Sequence, residues 1–198
     1  MKAEMDVVLT WLLLATGFTG GLTLVFVIRW VHRWWYQPLT VAVHFSPKGG
    51  CTEAVVHELR HARHEILVQA YSFTSRPIAE ALVAAQKRGV QVEILLDHSN
   101  EAEMYTQLDE VMAEGLIPLV DSHHAIAHNK IMIVDRHTLI TGSFNFTHQA
   151  EIENAENLLI IKHHPELTES YRKNFLDHQS HCKKPNLKAQ PHDKRKAA

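Results

Sequence analysis

Residues 128–145, HNKIMIVDRHTLITGSFN, constrain the fold of this chain more than any other stretch. The four consecutive apolar residues at 131–134 predict a short buried strand. Side chains alternate between the two faces of a strand, so His128 and Lys130 are expected on the same face. Asp135 has the opposite parity or already lies in the turn beyond, where a structural role in bonding backbone groups is expected. The stretch therefore predicts a strand that presents an imidazole and an ammonium group together.

Two more polar side chains follow the turn after this strand. Ser143 and Asn145 are again two positions apart and can share a face. One imidazole, one ammonium, one hydroxyl and one carboxamide can then converge on one spot. Two cationic or cation-capable groups offset the charge of an anion while neutral groups fix its oxygens, which suits a phosphate.

Apolar runs and helical periodicities alternate through most of the chain, which predicts an α/β sandwich with a mixed sheet and helices on both faces. The predicted strands are Leu39–Phe45, Glu65–Tyr71, Val90–Asp97, Leu116–Asp121, Ile131–Val134, Thr138–Ser143 and Asn157–Lys162. The predicted helices are Cys51–Arg63, Pro77–Arg88, Glu101–Glu114 and Pro165–Cys182.

The N-terminal region contains an apolar run without charged side chains, residues 7–28. Twenty-two helical residues extend roughly 33 Å, which is enough for a bilayer core. A cleaved signal peptide is disfavoured because the preceding segment, residues 1–6, is not basic and no small-residue cleavage site follows. We therefore expect a retained single-pass anchor in which Gly17 and Gly21 could let two helices approach closely.

The segments after the span complete the expected organisation. Residues 29–38 form an aromatic and basic juxtamembrane linker, residues 39–182 the catalytic domain, and residues 183–198 a basic disordered tail. One Lys/Arg precedes the span and two follow it closely, a bias that weakly favours a cytoplasmic domain.

Charge and metal-ligand patterns exclude several classes of function. Six Lys/Arg and one Asp give the tail a net charge of +5, which leaves −7 for the rest of a chain of net charge −2. A broad basic face for nucleic acid is therefore not supported, and any polyanion site must be a local groove. The two cysteines, Cys51 and Cys182, match no zinc spacing. His123 and His124 lie near His128, but we predict no metal site and no cofactor, because beyond Asp121 no cysteine or carboxylate has a ligating spacing.

The motif H-x-K-x4-D at His128, Lys130 and Asp135, followed by G-S-x-N, resembles the signature of the phospholipase D superfamily. The segments QAYSFTS, ALVAAQKRGVQVEILLD, GSFNFT and NAENLLII extend this resemblance to about residues 43–180, and they are most similar to the small single-motif bacterial endonucleases. The chain also resembles the membrane-anchored mitochondrial cardiolipin hydrolase and piRNA-pathway nuclease branch. That branch carries an inserted Cys/His zinc element, which two cysteines cannot supply, so the bacterial branch is favoured and a bacterial inner-membrane location is expected.

The resemblance implies a metal-independent phosphodiesterase of phospholipase D-like fold. In this family two motifs meet, but the sequence holds one, so we expect a homodimer with the active site on its two-fold axis. His128 of one copy would form a phosphohistidine and His128 of the other would protonate the leaving oxygen, while Lys130, Ser143 and Asn145 hold the phosphate. Glu156 is the best match to the carboxylate that orients the nucleophile, and Glu151 and Glu153 are the nearby alternatives.

Two enzymatic substrates and one non-enzymatic function remain open at this level. The favoured hypothesis is an endonuclease acting on DNA or RNA, which follows from the resemblance to single-motif endonucleases. The alternative is a phospholipase D acting on membrane phospholipids, which the expected anchor would keep near its substrate. An anchored scaffold with a degenerate site is least favoured, because His128, Lys130, Ser143 and Asn145 are all present.

Overall fold

The computed structural model describes residues 11, 16–30, 37–98 and 114–185, which fall into two compact units, Met1–Pro38 and Leu39–Ala198. In the first unit, residues 16–30 are helical and exposed. No helix in the described part of the chain is long and apolar enough to cross a membrane. The expected span at 7–28 is thus not supported, although eight of its residues, 7–10 and 12–15, lie outside the described residues.

The second unit is built on a seven-stranded mixed sheet with the order β1-β7-β6-β5-β2-β3-β4. Strands β2, β3 and β4 run parallel to one another, and the remaining neighbours are antiparallel. The strands are β1 (Thr40–Phe45), β2 (Glu65–Ala70), β3 (Gln91–Asp97), β4 (Leu119–Asp121), β5 (Lys130–Val134), β6 (Thr138–Gly142) and β7 (Asn157–Lys162).

Four described helices complete this unit, namely α1 (Cys51–His61), α2 (Arg76–Lys87), α3 (His148–Ile152) and α4 (Pro165–Gln179). Pro165 lies in the first turn of α4, where its missing N–H has no helical partner to lose. Gly89 follows the end of α2 at a φ of 91°, a conformation that favours glycine. The helix expected at 101–114 falls almost entirely on residues outside the described part of the chain, as does the tail beyond residue 185.

Each face of the sheet buries its own apolar cluster. The cluster that includes Val68 and Met132 packs under α1 and α2. The cluster that includes Leu67 and Ile133 packs against Phe175 of α4. Adjacent residues of one strand thus enter opposite cores, which explains why β2 and β5 are continuous apolar runs. The expected α/β sandwich with a mixed sheet and helices on both faces is confirmed.

The antiparallel pairing in the order β2, β5, β6 and β7 brings the C-terminal ends of β2 and β6 and the N-terminal ends of β5 and β7 to the same end of the sheet. Ala70 at the end of β2 pairs with Lys130 at the start of β5, and the next backbone N–H, of Tyr71, donates to the Asn129 carbonyl at 2.8 Å. Gly142 at the end of β6 pairs with Leu158 near the start of β7. The loops that leave these ends therefore lie side by side and build the candidate site.

Candidate active site

The lysine and histidine of the H-x-K motif lie in contact. Lys130 opens β5 and only 7% of it is exposed, whereas His128 lies at the surface. The Lys130 Nζ atom is 3.1 Å from His128 Nε2 and 3.4 Å from the His128 carbonyl oxygen. The structure thus brings together the two side chains that strand alternation places on one face.

Tyr71 is a member of this site that the sequence analysis did not single out. Its ring centroid lies 4.5 Å from that of His128, and Lys130 Nζ lies 5.0 Å from the same ring. A cation over an aromatic face is attracted by the ring quadrupole, and more strongly where water is excluded. Tyr71 therefore positions both functional groups of the motif. The sequence shows that Tyr71 directly follows the apolar run of β2, but only the pairing of β2 with β5 shows that this position lies beside the motif.

A carboxylate acts on the buried lysine from the loop before β7. Burial lowers the pKa of Lys130, and the negative charge of Glu156 partly offsets that effect. The backbone of Glu156 is fixed by two bonds to Ser46, from Ser46 N to Glu156 O at 3.1 Å and from Glu156 N to Ser46 Oγ at 3.2 Å. Its Oε1 atom also accepts from Asn154 Nδ2 at 3.2 Å. Glu156 is thus held as a fixed counter-charge for Lys130.

The two alternative carboxylates have other partners. Glu151 accepts from the backbone N–H groups of Gly50 and Thr52 at 3.2 and 2.7 Å, so it binds the first turn of α1. Glu153 accepts from the side chain of Gln149 at 3.0 Å in an exposed position. Of the three candidates, Glu156 is the carboxylate that acts on Lys130.

The G-S-x-N segment leaves β6 through a close backbone approach. A Cβ at Gly142 would lie 2.3 Å from the Asn157 carbonyl oxygen, so this position requires glycine. The next residue, Ser143, accepts from Asn157 N at 3.1 Å and from Asn157 Nδ2 at 3.2 Å. Both bonds use the hydroxyl oxygen as acceptor, so its proton is left to donate to a phosphate.

Asn145 is flanked in sequence by two residues whose rings are fully buried, Phe144 and Phe146. Its Oδ1 atom is buried and has no hydrogen-bond partner among the described residues. Buried polar atoms are normally paired, and unpaired ones are concentrated at functional positions. The buried neighbours thus fix the position of Asn145, while its Oδ1 atom forms no hydrogen bond within the described fold.

Asp135 lies at the opposite end of β5 from Lys130. Its carboxylate accepts from three backbone N–H groups, those of Arg63 at 2.9 Å, His64 at 2.7 Å and Glu65 at 3.1 Å. Burial alone would raise the pKa of Asp135, but these bonds outweigh it and the pKa is lowered. The structure therefore places Asp135 in the turn, bonded to backbone as its parity predicts, and not with His128 and Lys130.

A separate cluster of side chains, from β4 and the loop after it and from the end of α4 and the residues beyond it, could hold a metal, although the sequence analysis predicted no such site. Asp121, His124, His178 and His181 each bring one possible ligand atom within 4.8 Å of the others. The cluster shares no residue with the H-x-K motif, and the ring of His128 packs on Tyr71 instead. The available signals were D-x-x-H at 121–124 and H-x-x-H at 178–181, which lie far apart in sequence.

Comparisons with known proteins show which family this fold and sequence belong to. Residues 55–179 match the family model described as "Cardiolipin synthase, PLD-like domain". The structure of Nuc from Salmonella typhimurium, a phospholipase D family member, superposes with a TM-score of 0.72 at 36% identity, over 75% of this chain and 99% of that one. A phospholipase D of Rickettsia felis is 42% identical over 140 residues, 71% of this chain and 70% of the relative. The mitochondrial cardiolipin hydrolase of Xenopus laevis is 27% identical over 184 residues, 82% of this chain and 86% of that relative.

The chain therefore belongs to the phospholipase D family. Its members are phosphodiester hydrolases, and this chain is an enzyme of that class.

Proposed function

We propose that the protein is a metal-independent phosphodiesterase that hydrolyses nucleic acid through a phosphohistidine intermediate at a site shared by two subunits. The observation that carries the proposal is the 3.1 Å contact between Lys130 Nζ and His128 Nε2. We assign Lys130 as the donor in this contact, because an ammonium group only donates; His128 Nε2 is then the acceptor and the ring proton lies on Nδ1. A neutral imidazole at the surface, beside a buried cation, is a nucleophile next to an anion-binding group.

The reaction then proceeds in two steps. In the first, His128 Nε2 bonds to phosphorus, the bond from phosphorus to the leaving oxygen breaks, and a protonated His128 from a second copy gives that oxygen a proton. In the second, that now neutral imidazole takes a proton from water, whose oxygen displaces Nε2 from phosphorus. One imidazole cannot be neutral nucleophile and protonated acid in the same step, so the chemistry needs two copies. Lys130, Ser143 and Asn145 offset and orient the non-bridging oxygens.

An apolar face beside the site supports the pairing of two chains. On β1 the side chains of Val41, Val43 and Phe45 are 54%, 49% and 63% exposed. Phe45 pairs with Asn157, the residue that binds the Ser143 hydroxyl. A contiguous exposed apolar patch is typical of an interaction surface. A second copy that covers this face would lie against the edge of the site.

The surroundings of the site favour a substrate with several phosphates. Lys48 is exposed in the loop that follows β1, and its backbone N–H donates to the Glu151 carbonyl at 2.9 Å. Ser46 of the same loop binds the backbone of Glu156, so this loop lies beside the residue whose charge acts on Lys130. In the proposed complex Lys48 binds a further phosphate of the nucleic acid strand, because contacts to phosphates supply much of the affinity for nucleic acids. The alternative substrate, a membrane phospholipid, is favoured by the similarity to a protein named phospholipase D and by the apolar sequence at 7–28.

The test is an activity assay of the purified chain in EDTA, on single- and double-stranded DNA and RNA and on phospholipid vesicles. We expect nucleic acid cleavage by the wild type and none by His128→Asn. Lipid cleavage without nuclease activity would reject nucleic acid as the substrate and favour a membrane phospholipid instead.

Mixed dimers test the shared site. Wild-type and His128→Asn chains with different tags are combined, and the heterodimer is isolated by sequential affinity steps. We expect the heterodimer to be inactive, because it has only one of the two imidazoles. Full activity in the heterodimer would rule out the two-histidine mechanism.

The apolar N-terminal sequence supports a second proposal, that residues 7–28 anchor the enzyme in the bacterial inner membrane with its catalytic domain on the cytoplasmic side. Carbonate extraction of cell membranes should leave the full chain in the pellet and release a chain that begins at residue 38. Release of both forms would exclude an integral anchor.

A further inference from the structure

Three imidazoles surround one buried carboxylate where β4 meets the end of α4. Asp121 is only 1% exposed, and its Oδ2 atom lies 2.8 Å from His178 Nδ1, 3.0 Å from His124 Nδ1 and 3.4 Å from His181 Nε2. The other oxygen, Oδ1, accepts from the backbone N–H groups of His123 and His124 at 3.0 and 3.3 Å. The carboxylate is thus fixed by the backbone on one side, and all three rings converge on the other.

The three rings also lie close to one another. The ring centroid of His124 lies 4.6 Å from that of His178 and 5.1 Å from that of His181, and the last two are 5.5 Å apart. Burial would raise the pKa of Asp121, but the bonds from the His178 and His124 rings and from backbone N–H groups hold it well below its usual range. The cluster thus offers one carboxylate oxygen and three imidazole nitrogens, all within 4.8 Å of one another.

We propose that Asp121, His124, His178 and His181 form a site for one Zn²⁺ ion. Three nitrogens and one oxygen are a ligand set that zinc takes in tetrahedral geometry, with metal–ligand distances of about 2.0–2.2 Å and therefore about 3.3–3.5 Å between ligands. The present separations from Asp121 Oδ2 are 2.8 to 3.4 Å and the four ligand atoms all lie within 4.8 Å of one another, so the side chains rearrange on binding to reach that geometry. Imidazole-rich sets disfavour Mg²⁺ and Ca²⁺, which prefer oxygen ligands. The set contains no cysteine.

The position of the site shows what the ion does. Val120 N donates to the Lys183 carbonyl at 2.7 Å, and Lys183 N donates to the Val120 carbonyl at 2.9 Å, so the chain that leaves α4 lies against β4. The ion joins the same two segments through side chains. The exposed fractions of the histidine side chains, 42% for His124, 14% for His178 and 28% for His181, leave one side of the cluster open to solvent for entry.

The ion also fixes the approach to the active site without taking part in its chemistry. Residues 122–129 connect β4 to β5 and end beside the motif lysine. At the far end of this loop, Ala127 N donates to the buried Asp97 carboxylate at 2.5 Å. At the near end, a zinc ion would hold His124. The bond from Ala127 to Asp97 already holds the end of the loop next to His128, so the ion adds a second fixed point to the loop and the motif does not depend on it.

The test measures zinc on the full chain directly, so that it needs no enzymatic activity. The protein is stripped with EDTA, desalted and titrated with ZnCl₂, and bound metal is measured by mass spectrometry after gel filtration. CoCl₂ is used in parallel, because tetrahedral Co²⁺ has an intense visible spectrum. We expect one zinc per chain, a tetrahedral cobalt spectrum, and a Tm higher by roughly 5–10 °C at a free zinc concentration of 100 Kd.

Matched variants assign the site. His124→Gln replaces the most exposed of the three ligands and should keep the fold, as measured by circular dichroism, while zinc affinity falls at least tenfold. The control is the double variant His57→Gln with His61→Gln, which removes another close histidine pair, with ring centroids 4.4 Å apart, and should bind zinc like the wild type. Absence of stoichiometric zinc, or loss of zinc in the control or in His128→Asn and not in His124→Gln, would overturn the proposal. A failure of the phosphodiesterase assay leaves these outcomes unchanged.

Discussion

Replacement of Asp135 by asparagine should separate fold from chemistry within the H-x-K-x4-D motif. Asp135 has a φ of 51°, and asparagine accepts this left-handed conformation at little cost. The amide has the size of the carboxylate but only one acceptor oxygen. If the carboxylate serves the turn, as its three backbone bonds indicate, the variant should lose stability and keep its intrinsic activity.

The size of the loss follows from the bonds. Oδ1 accepts from His64 and Glu65, and an amide oxygen can keep both bonds. Oδ2 accepts from Arg63 N at 2.9 Å, and there the amide nitrogen would face another donor. Hydrogen bonds to charged groups contribute about 1.5–3 kcal/mol, but water reaches the exposed Arg63 and His64, so we expect a loss of about 1–2 kcal/mol. In a domain of this size, that corresponds to a fall in Tm of about 2–8 °C.

Urea unfolding at several pH values, with kcat measured at a temperature where both proteins are folded, tests this reasoning. The folded-state pKa of Asp135 is lowered, so its stabilising effect is fully present above the unfolded pKa of about 3.9 and is lost as pH falls toward the folded value. The difference in unfolding free energy between wild type and Asp135→Asn should therefore be constant from pH 6 to 8 and shrink below about pH 4. Unchanged stability with a hundredfold loss of kcat would refute the structural role.

Two further substitutions test the site and its support. Lys130→Met should lower activity by about 10²–10³-fold, as for loss of one oxyanion donor. Its Tm should stay the same or rise, because a desolvated ammonium group is removed and Glu156 keeps access to water. A large fall in Tm would mean that Lys130 is needed for folding. Gly142→Ala places a Cβ 2.3 Å from the Asn157 carbonyl and should lower both Tm and activity. Gly115→Ala is its control, since it has a positive φ of 86° but nothing within 4 Å of the new Cβ, and equal effects of the two would show that backbone strain and not contact is responsible.

Strand alternation was sufficient to predict the part of the site that lies within one strand. His128 and Lys130 meet because they are two residues apart at the start of β5, a relation that any extended backbone preserves. The opposite parity of Asp135 likewise predicted its place in the turn. Apolar runs and helix-stop glycines placed the strands and the helices α1, α2 and α4 to within a few residues, whereas the short helix α3 was not predicted.

Local sequence patterns could not predict the contacts between segments that are distant in sequence. Tyr71 joins the site because β2 pairs antiparallel with β5, and no local property of Tyr71 specifies that pairing. The carboxylate–histidine cluster forms because α4 ends against β4, so that His178 meets Asp121. The membrane-spanning prediction depended on hydropathy alone, and the described residues give it no support.

The pairing of β1 with β7 sets the order in which this domain can fold during synthesis. Of the strands in this sheet, β1 is the first to leave the ribosome and β7 is the last. Nevertheless the two strands pair along their whole length, from Thr40 opposite Lys162 to Phe45 opposite Asn157. Until β7 emerges, β1 has no partner in the sheet, and its apolar side chains stay open to other chains. Such distant contacts slow folding and prolong the lifetime of aggregation-prone intermediates. Truncation between residues 143 and 156 would therefore remove β7 and leave β1 without its partner, even though every other strand of the sheet is present.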